Sequence, residues 1–419
     1  MKRSVMKEHR IPESFVLGAA VGSSASDNAF AAGAEAARQA LEGFAGVSSP
    51  GLLLVFGSSR FDQQALLEGI VSIAPDIPMV GGTTAGEISL KGFSPDAVVI
   101  MALGSKHLRF RTGIGTTLSR DEEAAVKEMS GQMFSGSLPD DAQTLMVFPS
   151  GMDSNVLRTI DSLHDCFGER FEIIGGYPGG KGLFQETVQY HNGKVYTDAI
   201  AGVLICHDDD CCTGTGVCSG FESIGNSFCC TSSEGHILKE IDNQPSLDLF
   251  REIVGEERYS RLPEIFVEYP FGLIDESAST SDITYFQLRT GIMANTENKT
   301  IVLTAPIPKG SRVTLAAGTC QDLIAGAGNA ARDAVMCLGE DYEPQAAVMF
   351  SCIGRAKVLG RRLEDEVESV RNVIGKKVPL AGFYTFGEVG PIDKKEPRLA
   401  SAKYHNVSVV IWVLGTVRK

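Results

Sequence analysis

An apolar run, a loop of small residues, a helix-like stretch, a second apolar run and a glycine cluster follow one another three times in this chain. The first copy runs from Leu52-Leu53-Leu54-Val55-Phe56 to Gly81-Gly82-Thr83-Thr84-Ala85-Gly86-Glu87. The second runs from Leu145-Met146-Val147-Phe148 to Gly175-Gly176-Tyr177-Pro178-Gly179-Gly180-Lys181. The third runs from Ala347-Val348-Met349-Phe350 to Gly382-Phe383-Tyr384-Thr385-Phe386-Gly387-Glu388. Sheets built from such units must be covered on both faces, so three copies predict stacked α/β substructures. The loops after the strands, where backbone amides and helix starts converge, are the expected place for a site.

The predicted fold is α/β: two packed domains built from repeated strand–helix–strand–strand units at 51–103, 144–206 and 346–414, with mixed sheets covered by helices. Residues 15–210 form the first domain, with two units, and 211–419 the second, with one unit plus antiparallel strands over 284–316. A helix is expected over 28–44 with Asp27 as its cap, another from Asp62, and another from Ser119 with Glu122 as a capping-box partner. A single helix is expected over 357–373.

A chain of 419 residues exceeds one ordinary core, and 43% hydrophobic with 21% charged residues is ordinary globular composition. The net charge of −14 argues against nucleic acid, which is bound through clustered Lys and Arg. Residues 1–14 are charged and polar, and the apolar run 407–417 is too short to span a bilayer, so a cytoplasmic protein with no membrane contact is expected.

Six of the ten cysteines, Cys206, Cys211, Cys212, Cys218, Cys229 and Cys230, crowd one segment. Their spacing is not that of a zinc site, and a cytoplasmic setting disfavours disulfides, so reduced, metal-free thiols are expected. No phosphate loop, nucleophile elbow or zinc-protease motif is present. The turns bearing Gly82, Thr83, Thr84 and Glu87 are candidate ligand contacts, set against a purely structural need for glycine. Cys352 and Arg355 follow a strand and open a helix, where an anion is favoured by amides and by the guanidinium.

The residues also match a family. Gly22-Ser23-Ser24-Ala25-Ser26-Asp27 and the 81–87 cluster resemble the FIST N-terminal domain. Phe350-Ser351-Cys352-Ile353-Gly354-Arg355 with the 382–388 cluster resembles the FIST C-terminal domain, and the likeness spans about residues 15–414. It implies a sensory, ligand-binding input module of signal transduction and brings no catalytic residues. The expected function is binding of a small polar or anionic metabolite such as an amino acid, with signalling to a separate protein such as a histidine kinase. The expected pocket is bordered by Cys352, Arg355, Tyr384, Thr385 and Glu388, with Arg355 gripping a carboxylate and Glu388 an ammonium. No cofactor is expected on this reading. The same resemblance allows a haem-binding nitric oxide sensor, with His107, His191 and His236 as ligands only by elimination. A third reading is an enzyme with Cys352 as nucleophile and a distant base such as His405.

Overall fold

The computed structural model describes residues 17–44, 49–151, 155–169, 171–180, 187–276, 279, 285–391 and 401–418. The first unit comprises β1 (Gly18–Ser24), α1 (Ala29–Gly43), β2 (Leu52–Ser58), α2 (Gln63–Ile73), β3 (Met79–Thr84), the hairpin β4 (Glu87–Ser89) and β5 (Gly92–Ser94), and β6 (Val98–Gly104). The second repeats it with β7 (Leu108–Thr116), α3 (Glu122–Met133), β8 (Ala142–Pro149), α4 (Val156–Phe167), β9 (Glu172–Gly176), the hairpin β10 (Gln189–His191) and β11 (Lys194–Tyr196), and β12 (Ala199–His207).

The third unit begins with β13 (Cys211–Cys218) and is then interrupted. An inserted sheet follows: β14 (Glu222–Glu234), β15 (Ile237–Ile241), β16 (Gln244–Pro245), β17 (Phe271–Ile274), β18 (Phe286–Arg289), β19 (Gly291–Asn295), β20 (Thr300–Leu303) and β21 (Arg312–Ala317), with α5 (Ser246–Val254) and α6 (Glu256–Tyr259) between β16 and β17. The unit resumes with α7 (Cys320–Leu338), β22 (Tyr342–Cys352), α8 (Ile353–Leu359), α9 (Leu363–Ile374), β23 (Leu380–Thr385), the hairpin β24 (Glu388–Pro391) and β25 (Ala402–His405), and β26 (Val409–Val417). The repeat is thus longer than the expected strand–helix–strand–strand unit, because each copy also opens with a strand and a helix.

Each unit centres a six-stranded mixed sheet on one parallel pair: β2 with β3, β8 with β9, β22 with β23. The hairpins do not stay at home. The hairpin of the first unit completes the third sheet, that of the second completes the first, and that of the third completes the second. The registers coincide: Ile88 pairs with Gly382, Tyr190 with Gly81 and Val389 with Gly175. These three glycines belong to strands, not to turns. A Cβ on Gly81, Gly175 or Gly382 would lie 1.8, 2.0 or 1.9 Å from the carbonyl oxygen of Val55, Val147 or Met349, so no side chain fits there.

The inner faces of the three sheets meet in one core, where Phe56, Phe148, Phe350 and Phe383 pack with ring centroids 5.0–6.5 Å apart. The helices cover the outer faces. Alanines of α1 let it press onto β1 so closely that a Cβ on Gly22 would lie 2.0 Å from the Ala36 carbonyl oxygen. Caps differ by a residue or two from the expected ones: Asn28, not Asp27, caps α1, and Asp121 caps α3, while Asp62 caps α2. The helix expected over 357–373 is two helices, because Gly360 takes φ +57° between α8 and α9.

Candidate functional site

The repeat makes three equivalent strand ends. β2 and β22 end at Ser58 and Cys352, and β8 ends one residue before Ser150; the N–H groups of Ser58, Ser150 and Cys352 donate to the carbonyls of Ala97, Ala199 and Ser408 at 2.9, 2.8 and 3.0 Å. The residue before each of those carbonyl acceptors has left-handed backbone: Asp96 (φ 65°), Asp198 (47°) and Val407 (50°). The hairpin registers place Glu87, Gln189 and Glu388 at matching positions.

In the first two units the loop between the opening strand and its helix is short; in the third it carries the inserted sheet. Beneath that sheet lies a cleft of about 540 Å³. Cys352, Ile353 and Gly354 form its floor, Gly151 and Tyr177 come from the second unit, and His236 and Thr290 come from the inserted sheet. Tyr404, Phe386 and Asn406 close its back, with Lys357 and Glu264 also in its wall. The lining is largely apolar and aromatic with a few polar groups, the usual make-up of a small-molecule site. Tyr177 is 1% and Thr290 6% exposed, and both hydroxyls lack hydrogen-bond partners among the described residues. Each hydroxyl oxygen is itself covered by the wall, so a ligand would pair with it after a local side-chain rotation.

Three of the expected site residues come together. Cys352, 5% exposed, lies on the cleft floor against Glu388. Glu388 is wholly buried and accepts from Thr385 Oγ1, Ser408 Oγ (2.7 Å) and Ser408 N–H (3.2 Å). Burial outweighs those hydrogen bonds and pushes its carboxyl up to about 7. Burial and the neighbouring Glu388 raise the Cys352 thiol well above its ordinary value, so the sulfur stays protonated. A nucleophilic role needs the thiolate. The base imagined for it, His405, bonds the Gly390 carbonyl instead (3.0 Å) and is pulled down to about 4 by burial.

Arg355 and Tyr384 lie elsewhere. Arg355 is fully buried and turned from the cleft: Nε and Nη2 each lie 2.7 Å from Glu366 Oε1, Nη2 donates to the Leu323 carbonyl (2.8 Å), and Nη1 to the Ser219 carbonyl. The Tyr384 hydroxyl donates to the same Glu366 (2.7 Å). This is an internal network among α7, α8, α9 and β23. Arg355 therefore pairs with neither a ligand nor Glu364 or Glu388.

The four first-unit candidates sit in a seam between units. A Cβ on Gly82 would lie 2.7 Å from the Val188 carbonyl oxygen. Thr83 exchanges hydrogen bonds with Val188 (3.0 and 3.1 Å), fastening the incoming hairpin. Thr84 Oγ1 donates to Glu87, which also accepts from Ala97 N–H (2.7 Å) and is raised by burial to about 8. Lys181, which ends the second glycine cluster, lies outside the described residues.

The cleft residues missed by sequence reasoning are Tyr177, Thr290, Tyr404 and Asn406; His236 had entered only by elimination, as a haem ligand. Only Tyr177 carried a signal, as the second-unit counterpart of Tyr384; the inserted sheet has no repeat to align with. Among the described residues one group has the geometry of metal ligands: His107 Nδ1 is 2.7 Å from Asp208 and 3.2 Å from Asp210. Both carboxylates are largely exposed, and nothing else at that surface points to an ion. Cys206, Cys211 and Cys230 are buried as small apolar side chains.

Several known proteins are similar. An uncharacterized protein of Mycobacterium tuberculosis is 26% identical over 394 residues, covering 89% of this chain and 94% of that one. One from Mycobacterium bovis is 25% identical over 390 residues, again covering 89% and 94%. A cyanuric acid hydrolase from A. caulinodans aligns over 96% of this chain and 100% of its own, at 8% identity and a TM-score of 0.34, too low to bear on fold or chemistry. The FIST N domain matches residues 51–244 and the FIST C domain residues 246–391, the two meeting inside the inserted sheet. On that match the chain belongs to the FIST family, whose domains are associated with sensing in signal transduction.

Proposed function

We propose that this protein is a sensory small-ligand-binding module whose ligand, a small polar or anionic metabolite such as an amino acid, occupies the cleft over Cys352. The observation that carries this is the pair of unpartnered, buried hydroxyls, Tyr177 and Thr290, in an aromatic-lined cleft of about 540 Å³. The cleft is walled by two units and by the inserted sheet, so one ligand touches all three. Binding would favour arrangements in which they close together, and a separate output protein such as a histidine kinase would read that shift. Among the described residues no helix is long and apolar enough to cross a membrane. A thermal-shift screen of amino acids and organic acids tests the proposal. A ligand at 100 times its Kd adds about 2.7 kcal/mol to stability. A hit whose effect survives when the cleft is filled by Gly354→Arg would remove the site from the proposal.

A second reading is favoured by His236. Its Nδ1 lies 2.9 Å from the Leu303 carbonyl oxygen, so Nδ1 carries the proton and Nε2 keeps a lone pair, the arrangement of a metal-ligating histidine. Of the other two candidates, His107 is engaged by Asp208 and Asp210, and His191 Nε2 by Thr112 Oγ1 (3.1 Å). The donor and the apolar lining both suit a haem, whose iron would supply a binding position for a diatomic gas. Adding haem to the purified protein tests it: a Soret band that shifts in His236→Ala supports this reading, and an unchanged spectrum removes His236.

A further inference from the structure

Two arginines are fully buried among the described residues, and they are not alike. Arg355 has its carboxylate, Glu366. Arg289, 1% exposed, has none. Its Nη1 donates to the carbonyls of Leu288 (2.9 Å) and Tyr404 (3.4 Å), and its Nη2 to Gln287 Oε1 (3.1 Å). Its guanidinium carbon lies 5.8 Å from the centre of the Tyr404 ring, and its Nε has no partner among the described residues. Every acceptor is neutral. A buried cation without a counter-charge is costly, and folded proteins almost always pair one. Burial pulls this group down only to about 10, so it stays charged at neutral pH.

Its position gives the charge a direction. Thr290, Gly291 and Ile292, the next residues along, line the cleft, as does Tyr404, which holds the guanidinium. On the other side, Gln287 and Leu288 line a smaller cavity of about 300 Å³. The guanidinium is therefore inside the wall, between the two cavities, one residue from Thr290 and against Tyr404. In a low-dielectric wall a charge is felt across one layer of atoms.

Resting on the cleft as the ligand site, we infer that its ligand is an organic carboxylate. Its anionic oxygens meet the hydroxyls of Thr290 and Tyr177, Arg289 supplies the counter-charge from behind, and an apolar or aromatic body lies along Phe386 and Ile292. One guanidinium balances one negative charge, which favours a monoanionic carboxylate over a phosphate dianion. Arg289 thus acts as a positioning charge and not as a direct contact, and it takes the role that the sequence suggests for Arg355. The competing account makes Arg289 a clamp holding β18 against β25 through its carbonyl contacts.

The test uses the full chain with 2-naphthoate and its neutral isostere 2-naphthamide, titrated at fixed ionic strength. Wild type should bind the carboxylate at least tenfold more tightly than the amide. Arg289→Met should bring that ratio close to one while amide binding persists, and Arg289→Lys should keep most of it. A clamp would lower stability without touching the ratio. A wild-type ratio near one, or a ratio unchanged in Arg289→Met, overturns the inference. If the amide still binds and Gly354→Arg blocks it, only the charge reading falls and the cleft stands. If neither probe binds, the carboxylate inference falls, and the cleft stands or falls by the amino-acid and organic-acid screen. The wild-type ratio needs no variant, so the inference stays falsifiable even where Arg289→Met fails to fold.

Discussion

The strand end of the first unit and that of the third have the same frame and opposite uses. Each has a small polar residue at the end of the strand, Ser58 or Cys352, and each has a buried Thr–Glu pair, Thr84 with Glu87 or Thr385 with Glu388. Two residues past the strand they part. In the first unit stands Arg60, whose guanidinium ties the Asp96 carbonyl (2.8 Å) to those of Ala25 (3.1 Å) and Ser26 (3.0 Å) and lies over the Phe61 ring at 4.3 Å. In the third stands Gly354, and the neighbouring loop is opened into the inserted sheet. The cleft is thus made by subtraction and roofing: a space-filling side chain is absent, and a new sheet covers the gap. The backbone records the same divergence. Asp96 accepts left-handed φ readily, but its counterpart Val407 is β-branched at φ 50°, a conformation that costs on the order of 1–3 kcal/mol. Such strain is retained at the strand end that faces the cleft, not at the sealed one.

The largest effect is expected at Arg355, which occupies the place, three residues past the strand, that the first unit gives to the apolar Phe61. Arg355→Met should cost about 3–5 kcal/mol in urea denaturation, because Glu366 is left buried and uncompensated. Adding Glu366→Leu should recover much of it, and loss of ligand affinity at full stability would instead return Arg355 to the site. Gly354→Arg, which copies the first unit into the third, should lower ligand affinity about a hundredfold, roughly 2.7 kcal/mol, with the fold intact by circular dichroism. Next comes the pair of acids. Glu388 holds its proton to about 7 when folded, against 4.5 when unfolded, so the unfolded chain releases it first as pH rises. Its contribution is therefore fully present below 4.5 and lost through 7, on the order of 3 kcal/mol. Glu87 should show the same loss over a window reaching about 8. Urea midpoints at pH 5 and pH 8 should converge in Glu388→Gln and Glu87→Gln; midpoints that rise with pH in wild type would contradict the assignment. The smallest effect belongs to Ser58→Cys, which copies only the thiol. It should change stability by less than about 1 kcal/mol and create no binding, since Arg60 still fills the space.

The threefold pattern is legible in the sequence because steric demands repeat at fixed spacing. Phe56, Phe148 and Phe350 point into one core, and Gly81, Gly175 and Gly382 each admit no Cβ. Cys352 and Glu388 could be placed together because Cys352 ends one strand of a parallel pair and Glu388 lies three residues past the end of the other. The exchange of hairpins was not legible: Glu87-Ile88-Ser89 reads as a strand whichever sheet receives it. Arg355 misled for a related reason. Nothing local shows that the chain breaks at Gly360 and brings Glu366 back across α8. The opening strand and helix of the third unit were hidden by the insertion between Cys218 and Cys320, and the same insertion carries Arg289, Thr290 and His236, which no periodicity marks.

The hairpin exchange also bears on how a ribosome must deliver this molecule. The first unit emerges with β4 and β5 already made, yet their partner β23 is among the last strands synthesised. The second sheet likewise waits for β24 and β25. Until then the nascent chain carries open strand edges, the surfaces through which unfinished proteins aggregate. Pairing Ile88 with Gly382 closes a loop across most of the sequence, a slow step whose entropy cost must be met before its contacts form. Once closed, the exchanged hairpins link the three sheets in a cycle, and separate synthesis of the two halves would yield fragments that each lack strands only the other can supply.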